Sequence, residues 1–421
     1  MFSTVGLRHA SRASKILAEG TRNPVNTAHL ALSSLAAACC FFLLKLTTSN
    51  SPPPFSSSTP MANLSDYKVD PNDLDTVRWV ASQLVGPSPS DDNTQPEALT
   101  VTRVAGGITN LLFRVEGLSR PCLVRVFGAE GMIDRTVENA TFQALAEEGV
   151  GPPYYGRFAN GRVEGWMEGM RHLQVRELPD VLEGVAQSLA QLHGSFVIPP
   201  HLEPHYQQPS LWTQLDDWWQ QSIHNTYQTD ADTERATALD LPSLRHELDW
   251  LRRDVVPPNA KVAFCHNDLL AANILVDDQR SQIQLIDFEY GGLNYCAFDV
   301  ANHFNEFAGG PPLDPTPHYE WLPSVDQQRR FCKAYLEAVD KKDTVTDDQV
   351  DALVDQVQAF LLVNHLYWGL WAVNQAATEG CDEFDYMEYG TQRIRQYHVC
   401  KRSSERVHGL VSLAAKTPSL L

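Results

Sequence analysis

Three β-rich apolar stretches open the body of the chain, at residues 99–104, 111–115 and 123–127. Gly106-Gly107 and residues 117–121 punctuate them, which predicts three strands joined by turns. The period then changes. Val137, Ala140, Thr141, Ala144 and Leu145 recur at helical spacing, predicting a helix over 134–148 and, with the strands, a small α+β lobe. Beyond Gly161 the pattern reads mainly as helix, over 178–193, 243–253, 328–339 and a long run at 349–377. One short strand pair interrupts it, around 272–276 and 282–288.

The first 60 residues follow different rules. No acid or base occurs between Arg22 and Lys45, and residues 30–44 are mostly Leu, Ala, Cys and Phe. That apolar core falls short of the roughly 18 residues a confident membrane-spanning helix needs. It reads as a membrane anchor, a long signal peptide or part of an organelle-targeting segment, against a weak or unused leader. In residues 47–60, 12 of 14 positions are Ser, Thr or Pro, the composition of a flexible tether. Met61 opens text resembling a normal start, from which a soluble cytoplasmic enzyme would be made.

Charge sharpens the division between leader and body. Residues 1–60 hold five bases and one acid, while the 421-residue chain carries a formal charge of −19. The body is therefore acidic, which repels phosphate backbones and argues against a nucleic-acid partner. Eight cysteines are scattered without a CxxC pair, matching neither a zinc site nor a disulfide framework. They read as reduced thiols.

The candidate chemistry centres on His266-Asn267-Asp268 with Asn273 five residues after Asp268, followed by Ile286-Asp287-Phe288-Glu289. Phosphoryl transfer needs a positioned hydroxyl, metal ions on the phosphates and charge neutralisation. In this arrangement Asp268 accepts the hydroxyl proton, Asn273 holds one Mg²⁺, and Asp287, at a strand end, holds the metals. Separately the fragments are a turn residue, a cap and a strand-end solvator; at this order and spacing they read together. His266 is expected to pack beneath the loop and orient its backbone. In the small lobe, Gly106-Gly107-Ile108-Thr109-Asn110 is a hairpin turn whose amides, Thr109 or Asn110 could reach phosphate oxygens. Arg125, inside a strand, needs a partner, and Glu138 on the following helix is the expected one, with a simple surface pair as the alternative. No G-x-x-x-x-G-K-[ST] occurs, excluding a P-loop enzyme, and Gly149-Val150-Gly151 does not complete a dinucleotide fingerprint.

Further on, Asp299, Asn302 or His303, and Glu306 fall on one helix face, as caps and solvent contacts or as a polar wall for a cationic substrate. His365, Trp368, Trp371 and Gln375 form a second stripe. It reads as core or, with Tyr389, as π-faces for an ammonium group.

These residues resemble the choline/ethanolamine kinase family, within the wider aminoglycoside-phosphotransferase and protein-kinase-like fold. The resemblance rests on the Asp268 motif, Ile286-Asp287-Phe288-Glu289-Tyr290, Phe298-Asp299-x-x-Asn302-His303-Phe304 and Trp368-Gly369-Leu370-Trp371, within about 101–399. It implies an α+β, bilobed architecture: a β-rich ATP-binding lobe over 61–168 and a larger, mainly helical catalytic and substrate lobe over 169–421. Leu269-Leu270, Cys296-Ala297 and Asn305 within Asn302–Gly309 depart from the usual choline kinase text toward the ethanolamine kinases. The implied reaction is ATP- and Mg²⁺-dependent phosphorylation of ethanolamine, an entry step to phosphatidylethanolamine synthesis, with choline kept open. By the same resemblance Asp268 would be the base, and Asn273, Asp287 and Glu289 would hold metal. Arg125 and Glu138 would align the ATP phosphates, 162–168 would be the hinge beside adenine, and Glu306, Trp368, Trp371 and Tyr389 would border the ammonium pocket.

Overall fold

The computed structural model describes residues 64–86, 98–104, 110–128, 134–309, 315–340, 344–382 and 384–408. The apolar segment 30–44, the 47–60 tether, Met61 and Thr109 lie outside these residues. No helix among the described residues is long and apolar enough to cross a membrane.

The first part is an antiparallel sheet backed by a helix. Helix α1 (Leu74–Val85) is capped by the Asp73 carboxylate, which accepts from Asp75 N. It precedes β1 (Thr100–Val104), β2 (Asn110–Glu116) and β3 (Cys122–Phe127). Helix α2 (Arg135–Glu147) follows, its cap Asp134 accepting from Thr136 N and Val137 N. Strands β4 (Tyr154–Phe158) and β5 (Gly161–Gly165) complete a five-stranded sheet in the order β1-β2-β3-β5-β4. One face buries Phe113, Val115, Val124, Val126 and Val163 against Val77 and Val80 of α1. Strand β5 departs from the helical expectation after Gly161. Its five residues are all buried, including Arg162 and Glu164, so its charges conceal it in a hydropathy reading. Gly161 is required there because a Cβ would stand 2.1 Å from Arg125 O of the neighbouring strand.

The second part packs around a separate, larger core. After β6 (Met170–His172) come α3 (Leu182–Ser195), α4 (Ser210–Ser222), α5 (Asp230–Ala238) and α6 (Leu244–Trp250). Strand β7 (Val262–Cys265) leads into the loop that carries Asp268. Strands β8 (Ile274–Asp277) and β9 (Ile283–Leu285) join β6 in a three-stranded sheet, and β10 (Gly292–Tyr295) pairs with β7. Helix α7 (Cys296–Asn305) starts where β10 ends, and α8 (Val325–Asp340), α9 (Asp347–Thr378) and α10 (Tyr386–His408) close the domain. A Thr346/Gln349 capping box starts α9. Its segment from Ala359 to Val373 is buried almost all round, so α9 is a central core helix and not a surface one.

Leu189, fully buried on α3, is expected to cost about 2–5 kcal/mol when truncated in Leu189→Ala. Exposed Val197→Ala should stay within about 0.5 kcal/mol. Urea unfolding of both variants checks the pair, and equal midpoints would place Leu189 outside the core.

Candidate active site

The chain turns as it leaves β7, and the turn is held from beneath by one carboxylate. Asp299, on α7 and fully buried, accepts from His266 N at 2.6 Å, Asn267 N at 2.8 Å and His193 Nε2 at 3.0 Å. Burial opposes its charge, but these donors hold Asp299 below the usual carboxylate range. Asn267 has φ +67°, a left-handed conformation that non-glycine residues rarely adopt. Its side chain is clamped on both sides, donating to Tyr290 O and accepting from Asn294 Nδ2. His266 Nε2 donates to Ile286 O at 2.9 Å while Nδ1 accepts from Asp268 N at 3.3 Å. Burial lowers its pKa, so the ring is neutral and packs beneath the loop as a backbone support.

Above this base four carboxylates share one region. Asn273 Nδ2 donates to Asp268 O and Oδ2, at 2.9 and 3.2 Å, leaving the Asn273 amide oxygen for another partner. Asp287, also left-handed at φ +65°, presents Oδ1 buried without a hydrogen bond, as does Glu289 with Oε2. Burial, then Glu306, Asp287 and Glu289, push Asp268 well above the carboxylate range. Burial and then Asp287 and Glu138 raise Glu289 to about 7, and burial raises Glu306 to about 7. Arg125 and Arg135 stand 3.5 and 3.6 Å from these two oxygens, too far for hydrogen bonds, and a cation would relieve the acids further. Asn273, Asp287 and Glu289 supply the hard oxygen ligands that suit Mg²⁺.

A buried charge ladder connects this acid to the sheet, and it corrects the expected Arg125–Glu138 pair. Arg125 Nε binds Glu164 Oε1 at 2.7 Å, and its Nη1 lies 3.5 Å from Asp287 Oδ1. Glu138 instead takes Arg162 at 2.8 Å and Arg135 at 2.6 Å, while Arg162 Nε shares Glu164 Oε1 at 2.7 Å. The reason is register. Arg125 pairs across the sheet with Arg162, so two cations stand side by side and Glu164, two residues along, neutralises both. Residues 162–165 are thus strand and ladder, not hinge; the link between β5 and β6 is 166–169. Asn110, the other phosphate candidate, begins β2 and is buried.

The substrate-side candidates meet through a network the sequence did not reveal. Arg393, fully buried on α10, donates to Tyr389 Oη at 3.2 Å and Asn364 Oδ1 at 2.5 Å, and stands 3.8 Å from Glu306 Oε1. Asn364 donates to Asn302 Oδ1, which also accepts from Trp368 Nε1 at 2.6 Å. Trp368 packs edge-on against Trp371 and Tyr290, with ring centroids at 5.3 and 5.7 Å. Of the acid face 299–306, only Glu306 remains for a cation. Asp299 holds the loop, Asn302 holds Trp368, and His303 Nδ1 bonds Leu269 O. Arg162 and Glu164, expected only as part of the hinge, are buried charge partners, and Arg393 escaped the sequence reading altogether. An alternating Arg-Val-Glu beside a strand arginine was the available signal for the first two; Arg393 had none.

Asp299→Ala would leave His193 and two backbone donors unpaired in the core. It is expected to lower stability by about 3–5 kcal/mol, read by thermal and urea unfolding. Unchanged stability would remove Asp299 from its supporting role.

The arrangement of loop, metal-type donors and sheet can be set against known proteins. A family model described as choline/ethanolamine kinase matches residues 101–398. The chain is 33% identical to probable choline kinase 2 of Arabidopsis thaliana, covering 74% of this chain and 88% of the relative. It is 35% identical to ethanolamine kinase 2 of Rattus norvegicus, over 73% of this chain and 77% of that one. A choline kinase crystal structure from Cryptosporidium parvum Iowa II superposes with a TM-score of 0.67 at 21% identity, covering 82% and 99% of the two chains. The structural match carries the bilobed kinase-like fold, and the sequence matches carry the rest: the chain belongs to the choline/ethanolamine kinase family.

Proposed function

We propose that the protein transfers the γ-phosphoryl group of ATP to the hydroxyl of ethanolamine, with Mg²⁺ as cofactor. The observation that carries this reading is the convergence of half-buried Asp268, Asp287 and Glu289 with buried Glu306, with aromatic rings at one end. The acid is divided by what it faces. Asp287 and Glu289, with Asn273, would hold Mg²⁺, which when bound neutralises phosphate charge. Arg125, anchored by Glu164 and aimed at Asp287, is the phosphate-side cation. Asp268, raised by its neighbours and steadied by Asn273, takes the hydroxyl proton as the oxygen attacks phosphorus.

Glu306 is the ammonium acceptor. Its ion partner Arg393 stands 3.8 Å away, beyond hydrogen-bond reach, so an N–H donor improves on it. A primary ammonium has three such donors and a quaternary one has none, which favours ethanolamine. Choline is the second reading, supported by the rings of Trp368, Trp371 and Tyr389.

Two measurements test these assignments. ATP consumption by the full chain with Mg²⁺ should favour ethanolamine over choline at matched concentrations, and Asp268→Asn should lose at least about 10³-fold in turnover while still binding ATP. Preference for choline would replace the substrate, and silence with both amines would remove the assignment. Because Glu306 titrates near 7 and binds ammonium only when ionised, ethanolamine affinity should rise about tenfold from pH 6 to pH 8. Calorimetric titration reads it; in Glu306→Gln the profile should flatten, and a wild-type profile in that variant would exclude Glu306.

A further inference from the structure

Beneath the catalytic loop lies a cluster that spacing along the chain does not show. Cys265 ends β7, Cys296 begins α7 and His193 lies near the end of α3, yet their donor atoms fall within 4.8 Å of one another. All three residues are buried. We propose that Cys265 Sγ, Cys296 Sγ and His193 Nδ1 form a binding site for a thiophilic divalent cation of the Zn²⁺ class, separate from the Mg²⁺ donors above it.

The ligand chemistry fits on three independent counts. His193 Nε2 is committed to the Asp299 carboxylate at 3.0 Å, which directs Nδ1 toward the cluster. A carboxylate behind an imidazole is the usual support of a zinc-bound histidine, fixing its tautomer and orientation. Tyr335 Oη is hydrogen-bonded to that same Nδ1 at 2.8 Å, so an ion taken by Nδ1 would have an oxygen beside it for a fourth position. Cys296 is also the first residue of a helix, where the backbone dipole favours a thiolate. The Cys265 hydrogen bond, against the cost of burial and aided by His193, holds the Cys296 thiol well below its usual range. Burial works against charge on His193, but Cys296 and Asp299 raise it to about 9. Both shifts favour charge on this pair beside the Cys265 thiol. Binding M²⁺ needs both sulfurs as thiolates and His193 Nδ1 without its proton, so it releases whatever protons those three atoms carry.

A direct disulfide is the poorer use of the same sulfurs. Cys265 pairs with Gly292, whereas Cys296 N donates to Lys261 O at 2.9 Å. The two cysteines thus stand at opposite ends of the β7–β10 pairing, whereas a disulfide needs Cα atoms within about 7 Å. A tetrahedral ion with metal–sulfur bonds of about 2.3 Å holds its donors about 3.8 Å apart, so a cluster whose donors lie within 4.8 Å needs only a slight contraction. Bound there, it would tie α3, β7 and α7 together under the loop that carries Asp268.

Full-length protein produced with zinc supplementation and desalted with a chelator should retain one Zn²⁺ per chain by elemental mass spectrometry. Refolding with Co²⁺ should give the thiolate charge-transfer and intense visible bands of a tetrahedral sulfur site, which carboxylate-bound Co²⁺ lacks. Cys296→Ala should lower Zn²⁺ affinity by at least about 100-fold, more than loss of a supporting group alone produces. Cys332→Ala, a buried cysteine on α8, should retain it. Absence of the sulfur bands and of retained zinc in the wild-type chain overturns the proposal, whatever the variants do. Equal zinc affinity in the wild type and Cys296→Ala also overturns it.

Discussion

One buried carboxylate sets the geometry on which the rest depends. Asp299 has no exposure to solvent and three donors, two of them consecutive backbone amides of the catalytic loop. Holding both amides fixes the left-handed turn at Asn267, and that turn points Asp268 into the acidic region. An unpaired charge at this depth would be costly, so the loop, α3 and α7 are bound into one arrangement by the need to satisfy it. His266 completes the support by spending both ring nitrogens on backbone atoms.

Charge is unevenly distributed between the sheet and the loop that carries Asp268. The sheet side is fully paired: Arg125, Arg162 and Arg135 alternate with Glu164 and Glu138, each buried acid contacting two cations. Across the cleft the balance fails. Burial and neighbouring acids push Asp268 and Glu289 upward, the latter despite Arg125 and Arg135, and burial pushes Glu306 upward despite Arg393. A protein stabilised for its own sake would neutralise these groups internally. Here the missing positive charge is of the kind that metal ions and an ammonium bring, consistent with membership of a kinase family whose relatives include choline and ethanolamine kinases.

Much of the site was legible because its residues sit close in sequence. Asp268 and Asn273 lie five residues apart, Asp287 and Glu289 lie in the segment just after β9, and the Trp368–Trp371 pair lies one helical turn apart. Local spacing therefore carries the chemistry of those groups. The pairing of Arg125 was less legible, since its partner depends on which strand lies beside β3. A reader of the chain meets Glu138 on the next helix first, whereas the sheet places β5 alongside and brings Glu164 within reach. Strand β5 itself was hidden because two of its five buried residues are charged.

Legible in the chain alone were the fold class and the grouping of Asp268 with Asn273, Asp287 and Glu289. These follow from short-range pattern: periodicity, motif spacing and composition. Only the tertiary structure decided what meets across long separations. Arg393 enters the Glu306 pocket from the last described helix, Asn302 serves Trp368 instead of a substrate, and Cys265, Cys296 and His193 converge from three elements. The physical reason is common to all three. Buried polar groups must find partners, and where the chain places those partners depends on how strands register and helices pack, which no local pattern encodes.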